Sequence, residues 1–180
     1  MKDVFIFLIT LAVIGFLVFI FLTWSIIKGA PWSPTPDEDM EIMFTLTKLQ
    51  PDELVYDLGC GDGRVLIKAA KQYNARAIGI EIDPIRFLWC KFRIRMLDLN
   101  ERVQVIRGDF FSKDLSDADV VFCYLLQDTN NKLQEKLITE LKPDARIVSK
   151  KFIFTDLTLV ASADEQEIYT YTTGTCVKPK

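Results

Sequence analysis

The residues whose types and spacing could do chemistry gather between positions 57 and 109. The run Asp57-Leu58-Gly59-Cys60-Gly61-Asp62-Gly63-Arg64 follows an apolar stretch over 53–58 and opens a helical segment over 65–73. Glycine at three alternate positions lets the backbone turn tightly and lets a ligand lie almost against it. The helix start behind the turn presents N–H groups to a polar or anionic ligand. Glu81 stands at the end of a second apolar stretch, 77–81, where an acid can accept both hydroxyls of a ribose. Glycine turn, helix start and second-strand acid together describe a site for a nucleoside-containing cofactor.

The spacing decides which cofactor. A dinucleotide fingerprint needs G-x-G-x-x-G, whereas here the glycines alternate and Arg64 stands where the third glycine would fall. Asp57 and Asp62 would add like charge beside a pyrophosphate. Those acids suit a cofactor carrying positive charge, such as an α-amino group and a sulfonium. The pattern of Asp57, Gly59, Gly61 and Gly63 with downstream Glu81 resembles motif I of the Rossmann-like, seven-stranded S-adenosylmethionine methyltransferases. The resemblance implies that Cys60 lies in the cofactor turn and that Asp109, in Gly108-Asp109-Phe110, accepts from the adenine amino group. It places Phe110 or Ile82 against the adenine ring; a helix cap is the bland alternative for Asp109.

Composition limits the chemistry further. The chain has 180 residues and no histidine, which excludes a histidine base, histidine metal ligation and Ser-His or Cys-His nucleophilic pairs. Cys60, Cys90, Cys123 and Cys176 form no C-x-x-C, so neither zinc nor a disulfide framework is expected. Without Lys2, Asp3 and Lys28 there remain 20 basic and 24 acidic residues. That balance argues against a nucleic-acid surface.

The amino terminus reads differently from the rest. Residues 4–27 contain no charge; at ~1.5 Å per residue they reach about 36 Å, enough to cross a ~30 Å hydrocarbon core. Trp24 sits where an interfacial anchor would. The expectation is a single-pass membrane anchor over 4–27, a proline-rich linker over 28–36 and one catalytic domain over 37–180. The domain is expected in the cytosol, where S-adenosylmethionine is made. From Lys28 to Thr35 the chain extends at most about 25 Å, which would keep the domain near the bilayer.

These groups need a scaffold. Thr35-Pro36-Asp37-Glu38 predicts a helix start with Thr35 at the N-cap and Glu38 completing a capping box. Strands are expected at 53–58, 77–81, 103–107, 119–125 and 145–154, with helices at 65–73, 84–97 and near 130–141. A strand over 167–173 could pair antiparallel at the edge. Such alternation means an α/β, doubly wound, mostly parallel sheet. On the helix after Asp83-Pro84, Ile85, Leu88, Trp89, Phe92 and Met96 share a face suited to the sheet. Phe87, Cys90, Ile94 and Leu97 fall opposite, as an outer strip between basic residues suited to an anionic bilayer, or to cover by another helix of the domain or a second subunit.

Beyond motif I, Pro34-Thr35-Pro36, Gly79-Ile80-Glu81 and Tyr124-Leu125-Leu126 resemble one group of protein-lysine methyltransferases. Mitochondrial members modify the ADP/ATP carrier and the ATP synthase c-subunit, and a soluble archaeal relative has broad lysine specificity. The resemblance covers roughly residues 31–154. It departs at Gln127, where the family tends to have proline, and after Phe154. It implies transfer from S-adenosylmethionine to lysine of a membrane-associated protein, without metal and without nucleic acid. Tyr124, at the end of strand four, would wall the lysine channel, with Gln127 and Asp128 orienting the amine. Thr35 would add a lid to its capping role. A lipid-head or small lipophilic acceptor, or a silent cofactor-binding module, are the alternatives.

Overall fold

The computed structural model describes residues 33–173 and, among the first 32, residues 2, 4, 6–13, 15 and 16. Residues 1–33 and 34–180 divide as two units. In the first, the described residues up to 16 are helical, and four consecutive side chains, Ile6, Phe7, Leu8 and Ile9, are 48–63% exposed. The anchor expected over 4–27 falls largely on residues outside those described. Among the described residues no helix is long and apolar enough to cross a membrane.

The second unit is a seven-stranded sheet in the order β3-β2-β1-β4-β5-β7-β6. Its strands are β1 (Leu54–Leu58), β2 (Arg76–Glu81), β3 (Val103–Arg107), β4 (Val120–Cys123), β5 (Arg146–Lys150), β6 (Thr158–Ala163) and β7 (Ile168–Thr172). The first five are parallel, and β7 runs antiparallel to both β5 and β6. The helices are α1 (Asp37–Thr47), α2 (Arg64–Tyr73), α3 (Pro84–Met96) and α4 (Gln127–Glu140). The doubly wound, mostly parallel sheet expected from the alternation is therefore present.

Strand periodicity sorts the core into two layers. Val55, Val148 and Phe122 face Met43 and Phe44 of α1, Leu66 and Ala69 of α2, and Cys90 and Ile94 of α3. Leu54, Tyr56 and Leu58 face the other way, toward Leu133 and Leu137 of α4. Phe44 is 1% exposed and lies between Tyr73 and Phe122, ring centroids 4.6 and 5.0 Å away, which fixes α1 on the sheet. Both core layers and the sheet, among the described residues, lie within residues 34–173, and residues 34–180 form a compact unit of their own.

Five expectations are corrected here. The N-cap of α1 is Pro36, with no side-chain cap; three acids in the first turn, Asp37, Glu38 and Asp39, favour the helix start instead. Thr35 is 7% exposed and packs with the domain rather than in a linker. The strand expected over 145–154 stops at Lys150 because Lys151 turns left-handed (φ 71°). β6, not expected, is an edge strand with no buried residue.

The fifth correction reverses α3. Cys90 and Ile94 are 0 and 2% exposed and face the sheet, whereas Ile85, Leu88, Trp89, Phe92 and Met96 are 51–68% exposed. Shape decides between two apolar faces of similar hydrophobicity. A Cβ on Gly63 would lie 2.4 Å from Cys90 Sγ, so the face with the small thiol is the one that fits against the glycine turn. The bulkier face is left outside.

Candidate functional site

Strand order reverses between β1 and β4, and in open α/β sheets ligands bind at the carboxyl ends of the strands at such a point. Leu58 pairs with both Ile80 and Cys123. Gly59, Glu81 and Tyr124, each one residue further on, therefore emerge side by side. Asp109 follows β3 on the same edge.

Backbone demands build the turn. Gly59, Gly61 and Gly63 have φ of 83, 55 and 76°, a region that side chains disfavour. Gly59 N and Cys60 N donate to Ile80 O, and Gly63 N donates to Cys60 O at 2.8 Å. Cys60 thus spends its backbone on the turn, while its thiol hydrogen-bonds to Cys90 and sits beneath Gly79. That bond, with burial, pushes the Cys60 thiol well above its ordinary range. Its place in the turn is structural.

Glu81 is 3% exposed. Its Oε2 accepts from Gly61 N at 2.9 Å and its Oε1 from Asp83 N at 2.8 Å. Two backbone donors hold the carboxylate flat between the turn and the start of α3. Each carboxylate oxygen keeps acceptor capacity for a ligand hydroxyl. Asp83 in turn caps α3, accepting from Ile85 N and Arg86 N.

Asp57 is the least compensated group at this edge. It is 7% exposed, and no salt bridge among the described residues reaches it. Burial, then the charges of Glu81 and Asp62, push its pKa up to about 7. A buried acid of this kind is the complement of a cationic ligand. Asp62 behaves differently from the expectation that both acids face the cofactor. Arg64 Nε and Nη2 each donate to it at 3.0 Å, and Arg93 Nη1 lies 2.8 Å from its Oδ2. Burial alone would raise its pKa, but hydrogen bonds and charge from Arg64, with Arg93, hold it below the usual carboxylate value. Asp62 is a structural anion.

The remaining candidates divide. Arg64 Nη1 donates to Thr35 O at 3.0 Å, so Thr35 is fastened to the glycine turn through its backbone. Asp109 caps a short 3-10 helix, Phe110–Ser112, accepting from Phe111 N at 2.9 Å. The helix-cap account of Asp109 is met through one carboxylate oxygen. Ile82 is 43% exposed beside Glu81, and Phe110 is half-buried. Tyr124 is half-buried, with Lys150 Nζ 5.8 Å from its ring centroid. Gln127 does not point an amide at this edge for a substrate alone: it donates to Asn131 Oδ1 and Ile153 O and accepts from Ile153 N. Asp128 is exposed in the first turn of α4.

Sequence reading missed Lys150, which pairs with Asp39 at 2.7 Å, both side chains about seven-eighths buried. It also missed Arg93. Neither belongs to a local motif; their partners lie on elements distant in sequence.

This sheet order, with a glycine turn after β1, a buried acid ending β2 and an uncompensated acid within β1, defines a class I S-adenosylmethionine-dependent methyltransferase. A model of the ANTKMT methyltransferase domain matches residues 57–161, and the chain belongs to that family. A protein-lysine N-methyltransferase of Saccharolobus islandicus is 40% identical over 129 residues, 71% of this chain and 80% of that protein. The adenine nucleotide translocase lysine N-methyltransferase of Mus musculus is 30% identical over 68% of this chain and 53% of its own length. The chain thus spans about half of that animal relative. Among solved structures, an RNA methyltransferase of Salinibacter ruber with S-adenosylhomocysteine superposes with a TM-score of 0.75, at 32% identity, over 82% of this chain and 98% of that one. The cofactor is S-adenosylmethionine, and the Asp57 and Glu81 carboxylates are chemically suited to its positive charge and its ribose.

Proposed function

We propose that this methyltransferase acts on lysine side chains of membrane or membrane-proximal proteins. The observation that carries the acceptor assignment is the Tyr124 ring, which already has a lysine ammonium, that of Lys150, 5.8 Å from its centroid at the cofactor edge. A ring that accepts one ammonium can wall the path of another. The 40% identity to a protein-lysine methyltransferase supports the same reading.

The cofactor supplies an electrophilic methyl whose leaving thioether needs no proton. The residues of this chain have the remaining tasks. Asp57 takes the cationic end of the cofactor and Glu81 its ribose hydroxyls. The turn of Gly59, Gly61 and Gly63, with Cys60 bracing it from beneath, lets the cofactor approach the backbone; Ile82, Phe110 and Asp109 take the adenine. Thr35 closes the edge near Arg64. Tyr124 desolvates and aligns the lysine, whose reference pKa of about 10.4 must fall for the neutral amine to attack.

Membrane placement rests on the apolar amino-terminal stretch: four consecutive exposed apolar side chains, Ile6, Phe7, Leu8 and Ile9, leave a helix no polar face toward water. The proposed arrangement is a single-pass anchor over 4–27 with the catalytic domain in the cytosol. Protection of the domain from protease in intact spheroplasts, lost on lysis, is the expected result.

The deciding experiment incubates the protein and membranes with radiolabelled S-adenosylmethionine. Label in protein, recovered as methyllysine after hydrolysis, is expected, and a Glu81→Gln control should lose it. Label in the lipid fraction or in added RNA, with none in lysine, overturns the lysine assignment.

A further inference from the structure

The face of α3 left outside by the sheet is apolar along its whole length. Ile85, Leu88, Trp89, Phe92 and Met96 are each more than half exposed, and the Trp89 and Phe92 rings stack at 5.6 Å. At 100° per residue they occupy an arc of about 100°. Lys91 and Arg95 border one side of that arc, Arg86 and Arg93 the other. The helix holds these four basic residues and no acid, in a chain whose formal net charge is −3. Asp98 and Glu101 come only after its end.

We propose that the exposed face of α3 is a docking surface for an anionic lipid bilayer, an inference that deepens, and rests on, the membrane-proximal reading above. Trp, Phe and Leu on the apolar arc with basic residues on both edges is the pattern of a helix lying in the interface plane. The aromatic side chains enter the acyl boundary, and the basic edges meet lipid phosphates. Within the helix itself cations stand on both borders and no acid on either, which a globular protein partner would not require. The strip starts at Ile85, four residues after Glu81, so docking sets the cofactor edge beside the bilayer surface, where membrane-proximal lysines lie. Arg93 spans both roles, because the same guanidinium that borders the strip is bonded to Asp62 of the glycine turn.

The domain over 34–180 contains a single tryptophan, Trp89, so its fluorescence reports on this face alone. Vesicles of phosphatidylglycerol and phosphatidylcholine carrying brominated acyl chains should blue-shift and quench Trp89, while pure phosphatidylcholine vesicles should have little effect. Raising the salt to about 1 M, where the Debye length is about 3 Å, should weaken binding about tenfold or more. Leu88→Glu with Phe92→Glu should abolish quenching while circular dichroism and S-adenosylmethionine affinity remain those of the parent. No quenching of the folded domain at low salt overturns the proposal. So does quenching that survives in the double variant, or a dimer in sedimentation that the double variant dissolves, since the strip then joins two copies. Quenching of the parent domain with no methyllysine formed on membranes would instead count against the lysine reading and leave the docking surface standing.

Discussion

Arg93 Nη1 lies 2.8 Å from Asp62 Oδ2 and donates to the Asp62 carbonyl oxygen at 2.7 Å, so one guanidinium on α3 grips both ends of a residue in the glycine turn. Asp62 also holds Arg64, which reaches back to Thr35 O. The chain Arg93–Asp62–Arg64–Thr35 therefore fastens α3, the turn and the entry to α1 together without touching the cofactor side of the turn. Arg93→Met should lower stability by about 1 kcal/mol, a modest figure because the pair is partly exposed. S-adenosylmethionine affinity should fall a few-fold through a looser turn. Chemical denaturation and calorimetry check the two parts, and an unchanged affinity would separate the clamp from the site.

Asp57 makes cofactor binding and stability respond to pH in opposite senses. Its folded-state pKa is raised to about 7 from an ordinary 3.8. Below 3.8 both folded and unfolded forms are protonated. Between 3.8 and about 7 only the unfolded chain ionises, so stability falls as pH rises, by roughly 1.4 kcal/mol for each unit of difference. Asp57→Asn should thus stabilise the ligand-free domain at pH 8 and leave it nearly unchanged at pH 3.5. Affinity for the cationic cofactor should climb with pH up to about 7 in the parent, and this slope should vanish in the variant along with most of the binding. Thermal melts and calorimetry across that window would refute the assignment if the variant kept the slope.

Gly63 and Cys90 should show opposite signs alone and together. A Cβ at Gly63 meets Cys90 Sγ at 2.4 Å, and the backbone there has φ 76°. Gly63→Ala should cost about 2–3 kcal/mol from overpacking and the left-handed backbone. Cys90→Ala, costly by itself because it opens a void, should recover about 1 kcal/mol in the Gly63→Ala background, leaving the backbone strain. A double-variant cycle measured by urea unfolding reads this coupling directly.

How much of this could be read beforehand follows from where each interaction lives. The turn, Glu81 and Asp83 were legible because their work is local: positive φ, strand end and helix cap lie within a few residues of one another. Asp62 was read as facing the cofactor because sequence alone does not show which way Arg64, two residues on, and Arg93, 31 residues on, turn their guanidinium groups. The two faces of α3 carry equally apolar side chains, so periodicity could not choose between them. The fit of one thiol beneath Gly63 did. β6 has no buried position, and its exposed Leu159 and Val160 stand side by side at a register shift, which leaves no period-2 apolar signal for an edge strand. Lys150 could not be connected to Asp39 or Tyr124 before the register of β5 and the position of α1 were known.

Tyr124 gives the test that separates ring from hydroxyl at the acceptor side. Its ring lies within cation–π range of the Lys150 ammonium, so aromatic area is its larger contribution, with the hydroxyl adding an acceptor for the incoming amine. Tyr124→Phe should keep the wall and lose about 1 kcal/mol, roughly fivefold in kcat/KM. Tyr124→Ala should lose both, about 2–3 kcal/mol, roughly thirty- to a hundred-and-sixtyfold. Cofactor affinity should stay the same in both variants, because Asp57, Glu81 and the turn are untouched. The split between the variants carries the information. Equal losses would transfer the role from ring to hydroxyl, and a Tyr124→Ala enzyme with parental kcat/KM would remove Tyr124 from the acceptor path altogether.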